Sequence, residues 1–342
     1  MVTLSVLDQS PIPRGGSAAN AYANTIDLAR HTERFGYKRF WLAEHHNSNA
    51  LAGSAPEVLI AAVAAATKNI RVGSGGIMLP HYSPLKVAEQ FRVLETLYPG
   101  RIDLGLGRAP GSDQRTMRAL QPGPTAYDVG VFPQQVELLI QFLEDSNGLA
   151  GEAGGFPTDH PYRGIHASPR GPGMPELWML GSGGDGAMVA AQFGMPYCFA
   201  HFINQDAGTA PLDLYRQHFK PSRYLEKPYG SIGVSVTVGE TEEDSRRLAA
   251  PRNLWVLHFL QGRLGPFPSM EEALSYPYTD QERAMLRGIE GRSIAGTGKQ
   301  VREKLMAMGE EYGVDEYVVL TITHEQYDRV RSYELLAEAF GT

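Results

Sequence analysis

Leu177-Trp178-Met179-Leu180-Gly181-Ser182-Gly183-Gly184-Asp185-Gly186 reads as an apolar strand, a glycine-rich turn and the opening of a helix over 187–193. A helix that starts on such a turn gathers backbone N–H groups, and its dipole favours negative charge there. Through Gly181, Gly183 and Gly186 the turn also satisfies G-x-G-x-x-G, the dinucleotide fingerprint. Two folds are open at this point. One is a doubly wound sheet with a second domain, binding a dinucleotide pyrophosphate. The other places a single phosphate on the turn. The first needs an acidic residue about 20 positions on, at the end of the next strand, for the ribose hydroxyls. That strand ends Phe199-Ala200-His201-Phe202 without an acid, and Asp206 lies past its end. The fingerprint also falls on the fifth strand of a series rather than the first, which argues against the dinucleotide reading.

On both sides of the turn the chain alternates strand and helix patterns. Apolar runs at 4–7, 38–43, 70–73, 102–106, 177–180, 197–200, 232–238 and 316–320 are strands. Between and after them, 20–35, 56–67, 84–98, 132–145, 212–220, 242–260, 301–312 and 325–340 have helical patterns. Gly36 sits where a helix C-terminal glycine belongs, and Pro84 where a first-turn proline does. Eight strand-then-helix units with no linker predict a single α/β domain over 1–342, a (β/α)8 TIM barrel with extended loops at its C-terminal face. Residues 262–296, rich in Pro, Gly and Tyr, read as an inserted loop region whose Tyr276 and Tyr278 either cover a substrate or pack on the barrel.

In a barrel, chemistry sits at the C-terminal ends of the strands. Those ends carry Asp8, Glu44-His45-His46, Gly75-Gly76 with His81, Arg108, Ser182-Gly183 and His201. Successive residues leaving a strand point in opposite directions, so His45 and His46 make a poor pair for one metal, and no H-x-H or H-E-x-x-H spacing occurs. No metal site is expected. A single pocket histidine that donates a hydrogen bond or carries a proton is one reading of this segment. One packed and one solvated histidine is the other. Gly75-Gly76 either lets something flat approach the backbone or forms a bulge. Arg108, after the fourth strand, and Ser182-Gly183, after the fifth, come from adjacent strands and can clamp one phosphate between a guanidinium and backbone N–H donors. His81 and His201 line a substrate pocket or are satisfied structural histidines.

Composition narrows the partners. A hydrophobic share of 42% with 20% charged residues describes a globular protein with a sizeable core. The net charge of -7, with no cluster of Lys and Arg, argues against a nucleic-acid partner. The single cysteine, Cys198, excludes an intrachain disulfide and reads as a small buried hydrophobe. The N-terminal segment lacks the basic flank and apolar length of a signal peptide, and no run approaches the roughly 18 apolar residues of a membrane span. A cytoplasmic protein without a membrane partner is expected.

Several segments in register carry a family resemblance. They are Trp41-Leu-Ala-Glu-His-His-Asn47, Val72-Gly-Ser-Gly-Gly-Ile-Met-Leu-Pro80, Ala88-Glu-Gln-Phe91, Leu97-Tyr-Pro-Gly-Arg-Ile-Asp-Leu-Gly-Leu-Gly-Arg-Ala-Pro-Gly-Ser-Asp113 and Ala190-Ala-Gln-Phe-Gly-Met-Pro196. The chain resembles the bacterial-luciferase-like flavin-dependent monooxygenases, in particular single-chain FMN-dependent members. The resemblance implies a (β/α)8 barrel that takes FMNH2 from a separate NAD(P)H:flavin reductase. With O2 it oxidises a small organic substrate through a C4a-(hydro)peroxyflavin. It also implies that His45 handles protons near the flavin and that Gly75-Gly76 forms a non-prolyl cis peptide under the ring. Arg108 would bind the FMN phosphate with Ser182 and Gly183, and a homodimer would form through helices of the early units. Gly107 stands where the luciferase α subunit has a reactive cysteine, so thiol chemistry beside the flavin is absent. A flavin-binding or storage relative without turnover, and a metal hydrolase barrel, are the competing functions.

Overall fold

The computed structural model of the protein describes residues 2–109, 111–121, 129–148, 155–263 and 265–342. Nine parallel strands form one sheet: β1 (Thr3–Asp8), β2 (Arg39–Leu42), β3 (Arg71–Met78), β4 (Ile102–Gly107), β5 (Glu176–Gly181), β6 (Tyr197–Phe199), β7 (Gly230–Val238), β8 (Ile294–Gly296) and β9 (Glu316–Leu320). β1 to β7 pair in sequence order, β7 pairs with β9, and β9 pairs with β1, which closes a barrel of eight strands. β8 stands outside the closure and adds only to the far end of β7, Val236–Val238.

Every residue of β2, β4 and β9 is buried, because one strand face meets the helices and the other meets the barrel axis. Leu4 and Val6 of β1, Phe40 and Leu42 of β2, and Tyr317 and Val319 of β9 join the large core under the helices. Leu7, Trp41, Val318 and Leu320, at the alternate positions, form a separate cluster inside the barrel. Below that cluster the barrel interior is ionic. Arg39 pairs with Asp103 (3.0 Å), Glu176 (3.0 Å) and Glu316 (2.9 Å), and Arg71 with Asp103 (2.6 Å). Ser5 Oγ and Tyr229 Oη donate to Glu316, Trp41 Nε1 donates to Asp103, and the Arg39 guanidinium lies 4.6 Å from the Trp178 ring centroid. Burial alone would lower the Arg39 pKa, but Asp103, Glu316 and Glu176 outweigh it and hold the guanidinium above its ordinary value.

Three elements differ from the sequence reading. The helix after the glycine turn spans Gly184–Phe193, three residues earlier than expected, so the turn supplies its first N–H groups directly. The helix Gln114–Leu120, capped by Asp113, had no counterpart in the apolar pattern. The region 262–296, read as a loop, is mostly ordered: helices Met270–Ser275 and Asp280–Gly291 precede β8. Tyr276 and Tyr278 pack rather than project, with ring centroids 4.7 Å apart and the Tyr276 ring 5.4 Å from His258 on the helix Glu242–Leu260. Pro110, and residues 149–154 of the glycine- and proline-rich stretch before β5, lie outside the described residues. Among the described residues no helix is long and apolar enough to cross a membrane.

Candidate active site

Glu44 is fully buried just past the end of β2, and its carboxylate organises the segment around it. Oε1 accepts from Tyr82 Oη (2.7 Å) and contacts His46 Nε2 (2.7 Å), while Oε2 accepts from the Met78 backbone N–H (2.9 Å). A buried carboxylate without such partners would cost several kcal/mol, so these bonds are what allow it there. They also separate the two histidines. His46 is drawn to Glu44, and its ring sits edge-on to the buried His81, centroids 6.0 Å apart. His45 takes a different course: its backbone N–H donates to Gly53 O (2.7 Å), and its Nδ1 is buried with no partner among the described residues. Burial lowers the His45 pKa to about 4, with His46 adding to the effect and Glu44 opposing it. His45 is therefore a neutral imidazole at neutral pH. Among the described residues no three His, Cys, Asp or Glu side chains are grouped to hold a metal ion.

The Gly75–Gly76 peptide is cis. The bulge expected of this pair is present, because the register between β3 and β4 slips between Gly75 and Ile77. The missing side chains do not leave an opening, however. A Cβ on Gly76 would come within 2.7 Å of Gly105 O and 2.9 Å of Leu180 Cδ1, and one on Gly75 within 3.0 Å of Trp41 Cβ. Glycine is required because the barrel packs against the pair from behind, and the surface that remains for a ligand is peptide backbone.

Arg108 and the glycine turn meet as the sequence expects of adjacent strands. Arg108 Nη2 lies 2.6 Å from Oδ2 of Asp185, in the first turn of the helix Gly184–Phe193. Gly183 is the N-cap, in extended conformation, and no side chain caps the helix. Tyr197 Oη donates to Gly181 O (3.2 Å) and Gly183 O (3.1 Å), and Asn204 Nδ2 donates to Ser182 O (2.9 Å). The carbonyls of the turn are thus held by the protein, which leaves its N–H edge for an anion. A Cβ on Gly183 would meet none of the described residues within 4 Å. Arg108 and Asp185 are 38% and 71% exposed, which makes their pair solvent-screened and readily exchanged for another anion. Asp206, the one acid near dinucleotide spacing, is 3.6 Å from Arg292, in a separate ion pair.

His81 lies with His46 and Tyr82, as a strand-end residue should. His201 does not join them: its ring packs edge-on to Phe199 and Tyr312, centroids 6.2 Å and 5.5 Å away. Phe199 belongs to the core under the helices, so His201 is on the outer side of the barrel wall. Sequence reasoning named Glu44 only beside the histidines that follow it, without its role of holding His46, Tyr82 and the Met78 N–H, and overlooked Tyr82. It also overlooked Trp255, on the helix Glu242–Leu260, which packs with Leu180 and Phe202 against the apolar cluster inside the barrel.

The family model for luciferase-like monooxygenases matches residues 2–316. The chain is 46% identical over 342 residues to protein YwcH of Bacillus subtilis, covering 100% of both chains. It is 36% identical over 341 residues to the N-acetyl-S-alkylcysteine monooxygenase of the same organism, covering 99% of this chain and 98% of that one. Among solved structures, apo-MsnO8 superposes with a TM-score of 0.89 at 37% identity, covering 100% and 99% of the two chains. The FMN complex of the oxygenating constituent of 3,6-diketocamphane monooxygenase from Pseudomonas putida shares the fold, with a TM-score of 0.69 at 20% identity, covering 99% and 97%. The fold and the matched family define a barrel oxidoreductase of the flavin-dependent monooxygenase class. The chain belongs to the luciferase-like monooxygenases.

Proposed function

We propose that the protein is the oxygenase half of a two-part system. It takes reduced FMN from a separate NAD(P)H:flavin reductase and uses O2 to oxygenate a small organic molecule. The observation that carries the reading is the meeting of Arg108 with the first turn of the helix Gly184–Phe193, where Asp185 already holds the place of an anion. The fit extends to the rest of the site, since among the described residues nothing lies within 4 Å of where a Gly183 Cβ would stand and buried His45 Nδ1 has no partner. Arg108 and the backbone N–H groups from Ser182 onward would hold the phosphate, and the Gly75–Gly76 backbone would lie against the ring. Reduced FMN, when bound, supplies the two electrons with which one oxygen atom of O2 enters the substrate and the other leaves as water. His45, neutral at physiological pH, holds or accepts a proton at Nδ1 without first having to lose one to solvent. Glu44 keeps His46 and Tyr82 out of that role by binding both. The apolar cluster that Trp255 joins excludes water from the barrel mouth.

The names of two similar proteins support the reading: one, an oxygenating constituent bound to FMN, supports the cofactor and the partner, and the other, an N-acetyl-S-alkylcysteine monooxygenase, the oxygenation of a small organic molecule. The packing of His81 beside His46 supports a role for it at the substrate, and the packing of His201 on Phe199 and Tyr312 does not support one. Exposed Val58 (65%) on the helix Pro56–Ala66, with Val93 (46%) and Leu97 (59%) on Pro84–Leu97, supports a homodimer through the early helices. A solution mass of twice 37.4 kDa, reduced by Leu97→Asp, is expected in light scattering. The test of activity supplies FMN, NADH, a flavin reductase and 18O-labelled O2 with a panel of N-acetyl-S-alkylcysteines and ketones. One labelled oxygen in a product is the expected result. Reduced FMN bound with no label in any product would instead mark a flavin carrier.

A further inference from the structure

The arginines buried in this fold have several acceptors each. Arg329 pairs with Asp8 and donates to Thr321 O, Arg92 donates to the carbonyls of Pro169, Gly171 and Gly173, and Arg39 holds three carboxylates. Arg252 departs from this pattern. It is partly buried on the helix Glu242–Leu260, and among the described residues its guanidinium has one hydrogen bond, Nη1 to the Asn253 amide oxygen at 3.2 Å. Among the described residues no carboxylate pairs with it, and burial alone, with no charge to offset it, lowers its pKa to about 10. A desolvated cation with so little compensation lowers stability, and such a group persists where a ligand completes it.

The helix tells which way Arg252 faces. Leu254 and Leu257 pack with Ala250 against the helices Met270–Ser275 and Asp280–Gly291. Trp255 is on the opposite side, against the apolar cluster inside the barrel, with its ring centroid 6.3 Å from that of Phe267. Arg252, three residues before Trp255, shares Trp255's side. A guanidinium on the same helix side as an indole that packs on the apolar cluster inside the barrel matches a molecule with an anionic end and an apolar body. Arg108 and the turn after β5 already account for the phosphate of the cofactor, so a second anion is left for Arg252.

Resting on the monooxygenase reading, we propose that Arg252 binds the carboxylate of an organic acid substrate whose apolar part lies on Trp255 and the inner cluster. The chemistry is recognition of an oxyanion, and the alternative source, the FMN phosphate, is separated by experiment. Calorimetric titrations compare wild type, Arg252→Gln and Arg252→Lys, with and without FMN. The probes are octanoate, 4-phenylbutanoate and N-acetyl-S-benzylcysteine, each beside its primary amide. In wild type at least one acid binds about tenfold or more tightly than its amide, the range of a charge-assisted pair. Arg252→Gln abolishes that preference, Arg252→Lys keeps part of it, and FMN binds all three alike. The thermal midpoint of Arg252→Gln is at or above wild type, whereas loss of a merely structural arginine would lower it. Equal binding of every acid and its amide, or an acid preference that survives in Arg252→Gln, overturns the proposal. So does loss of FMN binding in Arg252→Gln, which would assign the arginine to the phosphate. Failure of wild type itself to bind FMN would sink the flavin reading and still leave the acid and amide comparison decisive.

Discussion

Replacing His45 with Asn should flatten the acid side of the stability curve. In the fold the imidazole titrates at about 4, because burial disfavours its charged form. In the unfolded chain it returns to about 6.5. The unfolded state therefore binds more protons between those values, and stability falls with falling pH across that window. The contribution of neutral His45 is fully present above about pH 6.5 and is lost on the way to pH 4. Each pH unit of separation corresponds to about 1.4 kcal/mol, so the loss between pH 7 and pH 5 from this residue is about 2 kcal/mol. Burial also holds His201 and His258 below their ordinary values, so wild type has a background slope of the same sign. Urea unfolding of wild type and His45→Asn at both pH values isolates the His45 part as a difference of differences. The variant should lose about 2 kcal/mol less than wild type. Equal losses in the two proteins would mean that His45 is solvated or paired, and that it is not the neutral group of the site.

Glu44→Gln keeps the shape but leaves Tyr82, His46 and the Met78 N–H competing for one carbonyl oxygen, so unfolding should show a loss of about 2–4 kcal/mol, and a change below 1 would contradict the role given to Glu44. Arg39→Met leaves Glu316 without a cation inside the barrel and Asp103 with Arg71 alone, and should cost about 3–5 kcal/mol by the same assay; a neutral result would mean that the ionic layer is replaceable by packing. Asp185→Asn removes the anion that now sits on Arg108, and fluorescence titration should show FMN binding several-fold tighter at low salt, with the gain shrinking as salt rises. Unchanged or weaker binding would mean that Asp185 does not stand where the phosphate goes.

The barrel was legible because eight short apolar runs survive between helical patterns, even though strands buried on both faces give no alternation. β3 was cut short at Gly73 because its second half, Ser74 to Met78, carries glycines where a strand usually carries β-branched residues. The helices in 262–296 had readable starts, Ser269 accepting from the Glu272 N–H and Thr279 from the Glu282 N–H in a capping box, but the Pro and Tyr content around them read as loop. Arg108 and the glycine turn were found because each ends a strand and the strands are neighbours. Glu44 was missed as an organiser because its partners Met78 and Tyr82 lie more than 30 positions away in sequence. The ionic layer was invisible for the same reason, since Arg39 meets Glu316 across 277 positions. The two readings of His201, substrate-lining or structural, stayed open because alternation at the end of a three-residue strand gives too few positions to tell the inner face from the outer.

The account turns on a phosphate held by Arg108 and the start of the helix Gly184–Phe193. Anaerobic titration with reduced FMN and reduced riboflavin, which differ only in that phosphate, tests it most directly. Wild type should bind FMN at least about tenfold more tightly than riboflavin, as a charge-assisted anion contact implies. In Arg108→Ala that preference should shrink to the contribution of the backbone N–H groups. Equal affinity of wild type for the two flavins, or an FMN preference untouched by Arg108→Ala, would contradict it.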